Sequence, residues 1–132
     1  MISWFEKHRK LSIFITLIIA VVIFKISSMT FEASQGGTNI KALAYHFFAF
    51  FFLAMFLFIS TINNKKHPVI IFTAVLLSVL YAISDELHQA FVPGRLLSLG
   101  DVFIDTLGIF YAFIVYFISV EYRNGKRYIL RN

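Results

Sequence analysis

Cysteine is missing altogether, and the 132 residues hold only two prolines, six glycines and one tryptophan. Without cysteine there is no disulfide, no zinc thiolate site and no thiol nucleophile, and the redox compartment leaves no mark on the chain. Neither a Gly-rich phosphate loop nor a G-x-S-x-G nucleophile turn occurs. Charge is scarce as well: Asp, Glu, Lys and Arg make up 14% of the chain, whereas a soluble domain of this length needs far more polar surface to cover its core. No internal repeat or low-complexity linker divides residues 1–132, which are read as one domain.

What is present is apolar. Hydrophobic residues reach 59%, seventeen of them Phe, and the mean hydropathy is +0.80. One small aqueous fold cannot hide that much aromatic area, but lipid accepts it. A hydrocarbon core about 30 Å thick asks for roughly 20 apolar residues per helix. Four stretches qualify, predicting helices at about 11–27, 42–62, 68–89 and 101–120, and hence an all-α four-helix membrane bundle. Pro68 suits the first turn of the third, where a missing N–H does no harm.

Direction follows from Lys and Arg beside the spans. Lys7, Arg9 and Lys10 precede the first, Lys65 and Lys66 lie between the second and third, and Arg123, Lys126, Arg127 and Arg131 follow the fourth. The opposite side has Lys25, Lys41 and Arg95, so both termini are expected in the cytoplasm. Trp4, Tyr122 and Tyr128 fit an inner aromatic belt. A cleaved signal peptide is the competing reading of the first span, and Phe31 argues against it by occupying the small-residue position before Ala33. The net charge of +5 is scattered over termini and loops, which disfavours nucleic acid as a partner.

In lipid, helices pack through small and polar residues, so such residues at steps of three or four mark the interior. The spans offer Ser12, Thr16, Ala20 and Ser27; Ala42, His46, Ala49 and Leu53; Ser78, Ala82, Asp85 and Gln89; and Asp101, Asp105, Gly108 and Ala112. Phe47, Phe48, Phe51 and Phe52 are then expected to face lipid.

The stretch from Ser84 to Gly108 carries the chemistry. It brings Asp85, Glu86, His88, Gln89, Arg95, Asp101 and Asp105 to the outer end of the bundle, where Ser27, Ser28, Lys41 and His46 also arrive. Ionisable groups at this depth are costly unless paired or wetted, so they imply a structural partner or a task. In the structural reading Arg95 folds onto Asp85, Glu86 or Asp101 and pins the loop, with Pro93-Gly94 making its turn. In the functional reading Arg95 and Lys41 receive an anionic headgroup, while Asp85, Glu86 and His88 orient it or take protons. Asp101 either caps the fourth helix or touches the ligand, and Asp105 sits one turn deeper, where a carboxylate without a cationic partner prefers its neutral form. His46 reads first as a satisfied core donor. A His and carboxylate cluster could bind a divalent metal, but no H-E-x-x-H or comparable spacing occurs, so a metal is a minor option and no cofactor is expected.

The run Asp85-Glu86-Leu87-His88-Gln89-Ala90-Phe91-Val92-Pro93-Gly94-Arg95, followed by Asp101-Val102 and Gly108, resembles the signature of the VanZ-like membrane proteins. Ser27-Ser28 resembles the family's paired serines, and His46-Phe47 its histidine. Asp105 stands where the family places Asn, and Lys41 lies further from His46 than the family's lysine does from its histidine. The resemblance implies a multi-pass protein of the bacterial cytoplasmic membrane, related to one that confers low-level teicoplanin resistance, and names no reaction.

Two functions compete. The first is an accessory envelope protein that binds a headgroup, a lipid-linked cell-wall precursor or another envelope protein, with Arg95, Gln89, Asp101, Asp105, Ser27, Ser28, His46 and Lys41 as binding candidates. The second is an intramembrane enzyme with Asp85, Glu86 and His88 as catalytic candidates and Arg95 stabilising charge. A channel is disfavoured because the polar groups occupy one end only. The oligomeric state leaves no signature in the sequence.

Overall fold

The computed structural model describes residues 2–30, 40–62 and 67–129, with side chains described as far as Lys126. Lys65, Lys66, Phe31 and Ala33, and the side chains of Arg127, Tyr128 and Arg131, lie outside the described residues. Five helices follow one another: α1 (Ile2–Lys7), α2 (Arg9–Ser27), α3 (Ile40–Thr61), α4 (Pro68–Gln89) and α5 (Leu99–Ile129). Among the described residues there is no strand. All but α1 are long and apolar enough to cross a membrane.

The short α1 is an element the hydropathy pattern does not announce. The chain leaves helical geometry at His8 (φ −99°, ψ 53°). The Trp4 and His8 rings then lie 4.1 Å apart, and Ser12 Oγ donates back to the Phe5 carbonyl at 2.8 Å. This fold-back sets Glu6 against α5, where it accepts from Arg123 at 2.7 and 3.0 Å and from the Tyr116 hydroxyl at 3.1 Å. Arg9 Nε donates to the Ser60 carbonyl at 2.7 Å, satisfying an acceptor in the last turn of α3. Lys7, Arg9, Lys10, Arg123 and Lys126 therefore share one end of the bundle.

α3 is the central helix, burying Phe50, Leu53, Ala54, Met55, Phe58 and Ile59. It packs most extensively on α5. The close approach is made at Gly108, where a Cβ would collide with the carbonyl oxygen of Phe47. Ala112, one turn on, is fully buried, so the small-residue pair joins helices within the chain. Phe48 and Phe52 point outward as expected. Phe47 and Phe51 do not: they are half-buried and flank Gly108, because the missing side chain there draws their backbone against α5.

The interior stripes are otherwise as read, with Ser12, Ser27, His46, Leu53, Ser78, Ala82, Asp85, Gln89, Asp105 and Gly108 all buried. Ala42 is exposed. After α4 the chain turns at Pro93-Gly94, closed by the Arg95 N–H donating to the Val92 carbonyl at 3.1 Å. Gly94 has φ +81°, the left-handed value that the third residue of such a turn requires. α5 starts earlier than expected. Ser98 is its cap, with Oγ accepting the Asp101 N–H at 3.1 Å, so Asp101 lies in the first turn instead of preceding it. The helix also continues through the charged tail to Ile129, beyond the expected end near 120.

Candidate functional site

At the end of the bundle away from Glu6 and Arg123, α4 presents Asp85, Glu86 and Gln89 on one inward face, at positions i, i+1 and i+4. Asp85 accepts from Ser27 Oγ at 2.7 Å and from Gln89 Nε2 at 2.9 Å. Glu86 accepts from the same amide at 3.1 Å and from the Ser98 N–H at 3.1 Å. The carbonyl end of Gln89 accepts from the Arg95 guanidinium. One amide thus joins the basic group of the loop to both carboxylates of α4, and its orientation is fixed by having donors on one side and acceptors on the other.

His46 enters from α3 and Asp105 from α5, one turn before the close approach at Gly108. His46 Nδ1 lies 3.0 Å from Asp105 Oδ1 and 4.0 Å from Glu86 Oε1. With the carboxylate ionised, the ring N–H is the donor. Three carboxyl groups and an imidazole therefore meet where Glu86 is 1% and Asp105 0% exposed.

Donors do not match acceptors there. Ser27, Gln89, the Ser98 N–H and His46 serve both oxygens of Asp85, both of Glu86 and one of Asp105. Asp105 Oδ2 is buried with no partner, as is the hydroxyl of Tyr45, the residue before His46. An orphaned polar atom in such a low-dielectric setting is strongly disfavoured, about 1–3 kcal/mol for a neutral group and more for a charged one.

The remaining sequence candidates are placed differently. His88, a candidate acid or base, stacks on Phe24 with ring centres 4.6 Å apart and has Nε2 2.9 Å from Ser28 Oγ. The histidine that meets the carboxylates is His46. Ser28 is exposed and also donates to the Phe24 carbonyl at 2.7 Å, whereas Ser27 points inward to Asp85. Lys41 lines an apolar groove of about 500 Å³ between α2 and α3, with Val22, Tyr45, Phe48 and Phe52. Asp101 is half-buried in the first turn of α5.

Sequence reasoning did not find Ser98 or Tyr45. The pattern Ser98-x-x-Asp101 before an apolar run was a legible capping signal. Tyr45 gave none, since a tyrosine in an apolar span reads as packing.

The arrangement can accept hydrogen bonds, hold a proton between His46 and its carboxylate neighbours, or take a cation. His46, Asp85 and Glu86 each offer a ligand atom within 4.8 Å of the others, a grouping the absence of any ligand spacing in the sequence did not foretell. The family model described as VanZ/LLP1 matches residues 11–120, a stretch holding every residue of the cluster. No curated protein and no solved structure matches the chain.

Proposed function

The chain belongs to the VanZ/LLP1 family, and on that premise we propose that its buried polar cluster receives the headgroup of a membrane-embedded envelope component, a lipid or a lipid-linked cell-wall precursor. Family membership links the chain to glycopeptide resistance and to a multi-pass membrane setting. The bacterial cytoplasmic membrane is its place in this reading. Lys7, Arg9, Lys10, Arg123 and Lys126 lie on the cytoplasmic side by the positive-inside rule, which sets the cluster in the outer leaflet, where glycopeptides act.

The observation that carries the reading is the buried convergence of Asp85, Glu86, Gln89, His46 and Asp105 with one carboxylate oxygen unsatisfied. A bundle held together only by this network has no use for an orphaned acceptor, while a ligand bearing hydroxyl or amide donors does. Asp85 and Glu86 orient such donors, Gln89 transmits position between them and Arg95, and Arg95 reaches the anionic part. Glu86→Gln keeps the shape and removes the charge. Expressed at the wild-type membrane level, it should abolish the chain's effect on teicoplanin susceptibility; an unchanged effect would contradict the reading.

A second reading is an enzyme acting on a lipid-linked substrate. It is favoured by the His46–Asp105 contact beside Glu86, a base oriented by a carboxylate within reach of a second one. Incubating the purified chain with a lipid-linked cell-wall precursor separates the two, since only the enzyme converts it to a new product.

A further inference from the structure

We propose that His46, Asp85 and Glu86, beside Asp105, form a binding site for a divalent first-row transition-metal ion. The ligand atoms come from two helices. Asp85 and Glu86 are adjacent on α4, His46 projects from α3, and one donor from each lies within 4.8 Å of the others. Ligands of one ion at about 2.1 Å stand roughly 3–4 Å apart, so the set closes when each donor moves inward by up to about an ångström. His46 Nδ1 and Glu86 Oε1 are already 4.0 Å apart.

Charge supplies the second argument. Three carboxyl groups gather in the end of a membrane bundle, and Asp105, fully buried, already touches His46 with one oxygen while the other has no donor. Asp105 Oδ1 lies 3.0 Å from the same His46 Nδ1 that faces Glu86, so the orphaned oxygen belongs to a carboxyl at the edge of the ion's position, able to join the ligand set once Nδ1 gives up its proton. A dication offsets the acidic excess at a depth where unpaired carboxylates are disfavoured.

The chemistry of the donors narrows the ion. Two carboxylates with one imidazole suit Mn²⁺, Fe²⁺ or Zn²⁺ better than Ca²⁺ or Mg²⁺, which seldom use nitrogen. Three protein ligands also leave coordination positions open. An ion held there turns an acidic cluster into one able to meet a phosphate oxygen, which the carboxylates alone repel. The ion site does not need the headgroup reading, because it is tested with the metal alone.

The test uses Mn²⁺ and the purified full-length chain in detergent micelles, with binding followed by electron paramagnetic resonance and nitrogen coupling by electron spin echo modulation. The expected result is one saturable Mn²⁺ per chain showing ¹⁴N modulation from an imidazole. Glu86→Gln should weaken binding by at least roughly tenfold, and His46→Gln should abolish the nitrogen modulation. His67→Gln, at the exposed start of α4, should leave both unchanged. Should His46→Gln fail to fold, His8→Gln, His67→Gln and His88→Gln decide the matter, since modulation that survives all three belongs to His46 and its loss in any one overturns the assignment. Absence of saturable Mn²⁺ binding, or bound Mn²⁺ without nitrogen modulation, overturns the proposal. Mn²⁺ binding with no effect of Glu86→Gln on susceptibility would leave the ion site standing and remove the headgroup reading.

Discussion

The two ends of this bundle both bury carboxylates, and they treat them in opposite ways. At one end Glu6 faces two nitrogens of Arg123 and the Tyr116 hydroxyl, so charge is matched and both its oxygens are served. At the other, Asp85, Glu86 and Asp105 share neutral donors and one histidine, and an oxygen of Asp105 is left over. The first arrangement is complete without a ligand. The second is one that a cation, a proton or a donor-bearing headgroup improves. The first end is a closed set of partners, and on the proposed function the chemistry belongs to the second, which holds polar groups that the fold alone would not choose.

Breaking the complete end should have the largest effect. Glu6→Ala leaves the part-buried Arg123 guanidinium with the Ser119 carbonyl and partial access to water, and should destabilise the bundle by about 2–3 kcal/mol, below the figure for a fully buried pair. Thermal unfolding in detergent would show it. Gly108→Ala acts on the joint that serves the other end. Its Cβ meets the Phe47 carbonyl, so α3 and α5 must separate beside His46 and Asp105, at a cost of about 2 kcal/mol for overpacking. Metal affinity should fall with it, and teicoplanin susceptibility should rise.

Ser98→Ala removes the cap of α5 and should lower stability by about 1 kcal/mol, read from the same melting curve. The smallest effect has the opposite sign. Asp105→Asn keeps an acceptor for His46 and replaces the orphaned oxygen's charge with a neutral amide, so metal-free protein should gain up to about 1 kcal/mol. A loss of stability there would mean that Asp105 is satisfied as it stands, and the contrast between the ends would collapse.

Much of the architecture was legible because helical periodicity survives in lipid. Ser12, Ser27, His46, Ser78, Asp85, Asp105 and Ala112 could be assigned inward from spacing alone, since small and polar residues are what such helices bury. Helix ends were harder. α1 has six residues, too few to raise a hydropathy window, and the end of α5 runs through Arg123 and Lys126, where polarity reads as a tail. The gathering of Asp85, Glu86, Gln89 and Arg95 followed from their nearness in sequence. The pairing of His46 with Asp105 did not: they lie 59 residues apart, and which of the two histidines at this end of the bundle meets the carboxylates depends on helix rotation, which no local pattern encodes. His88 was the plausible partner by position, and rotation of α4 turns it toward Phe24 instead.

The account depends on the acidic cluster facing out of the cell and the basic end facing in. A chain without cysteine allows a direct test, because a single introduced thiol is the sole target for a membrane-impermeant maleimide. Phe91→Cys, at the exposed turn after α4, should label in intact cells, and Lys126→Cys only after the membrane is opened. Labelling of Lys126→Cys in intact cells, with Phe91→Cys protected, would turn the bundle over and contradict the function proposed for it.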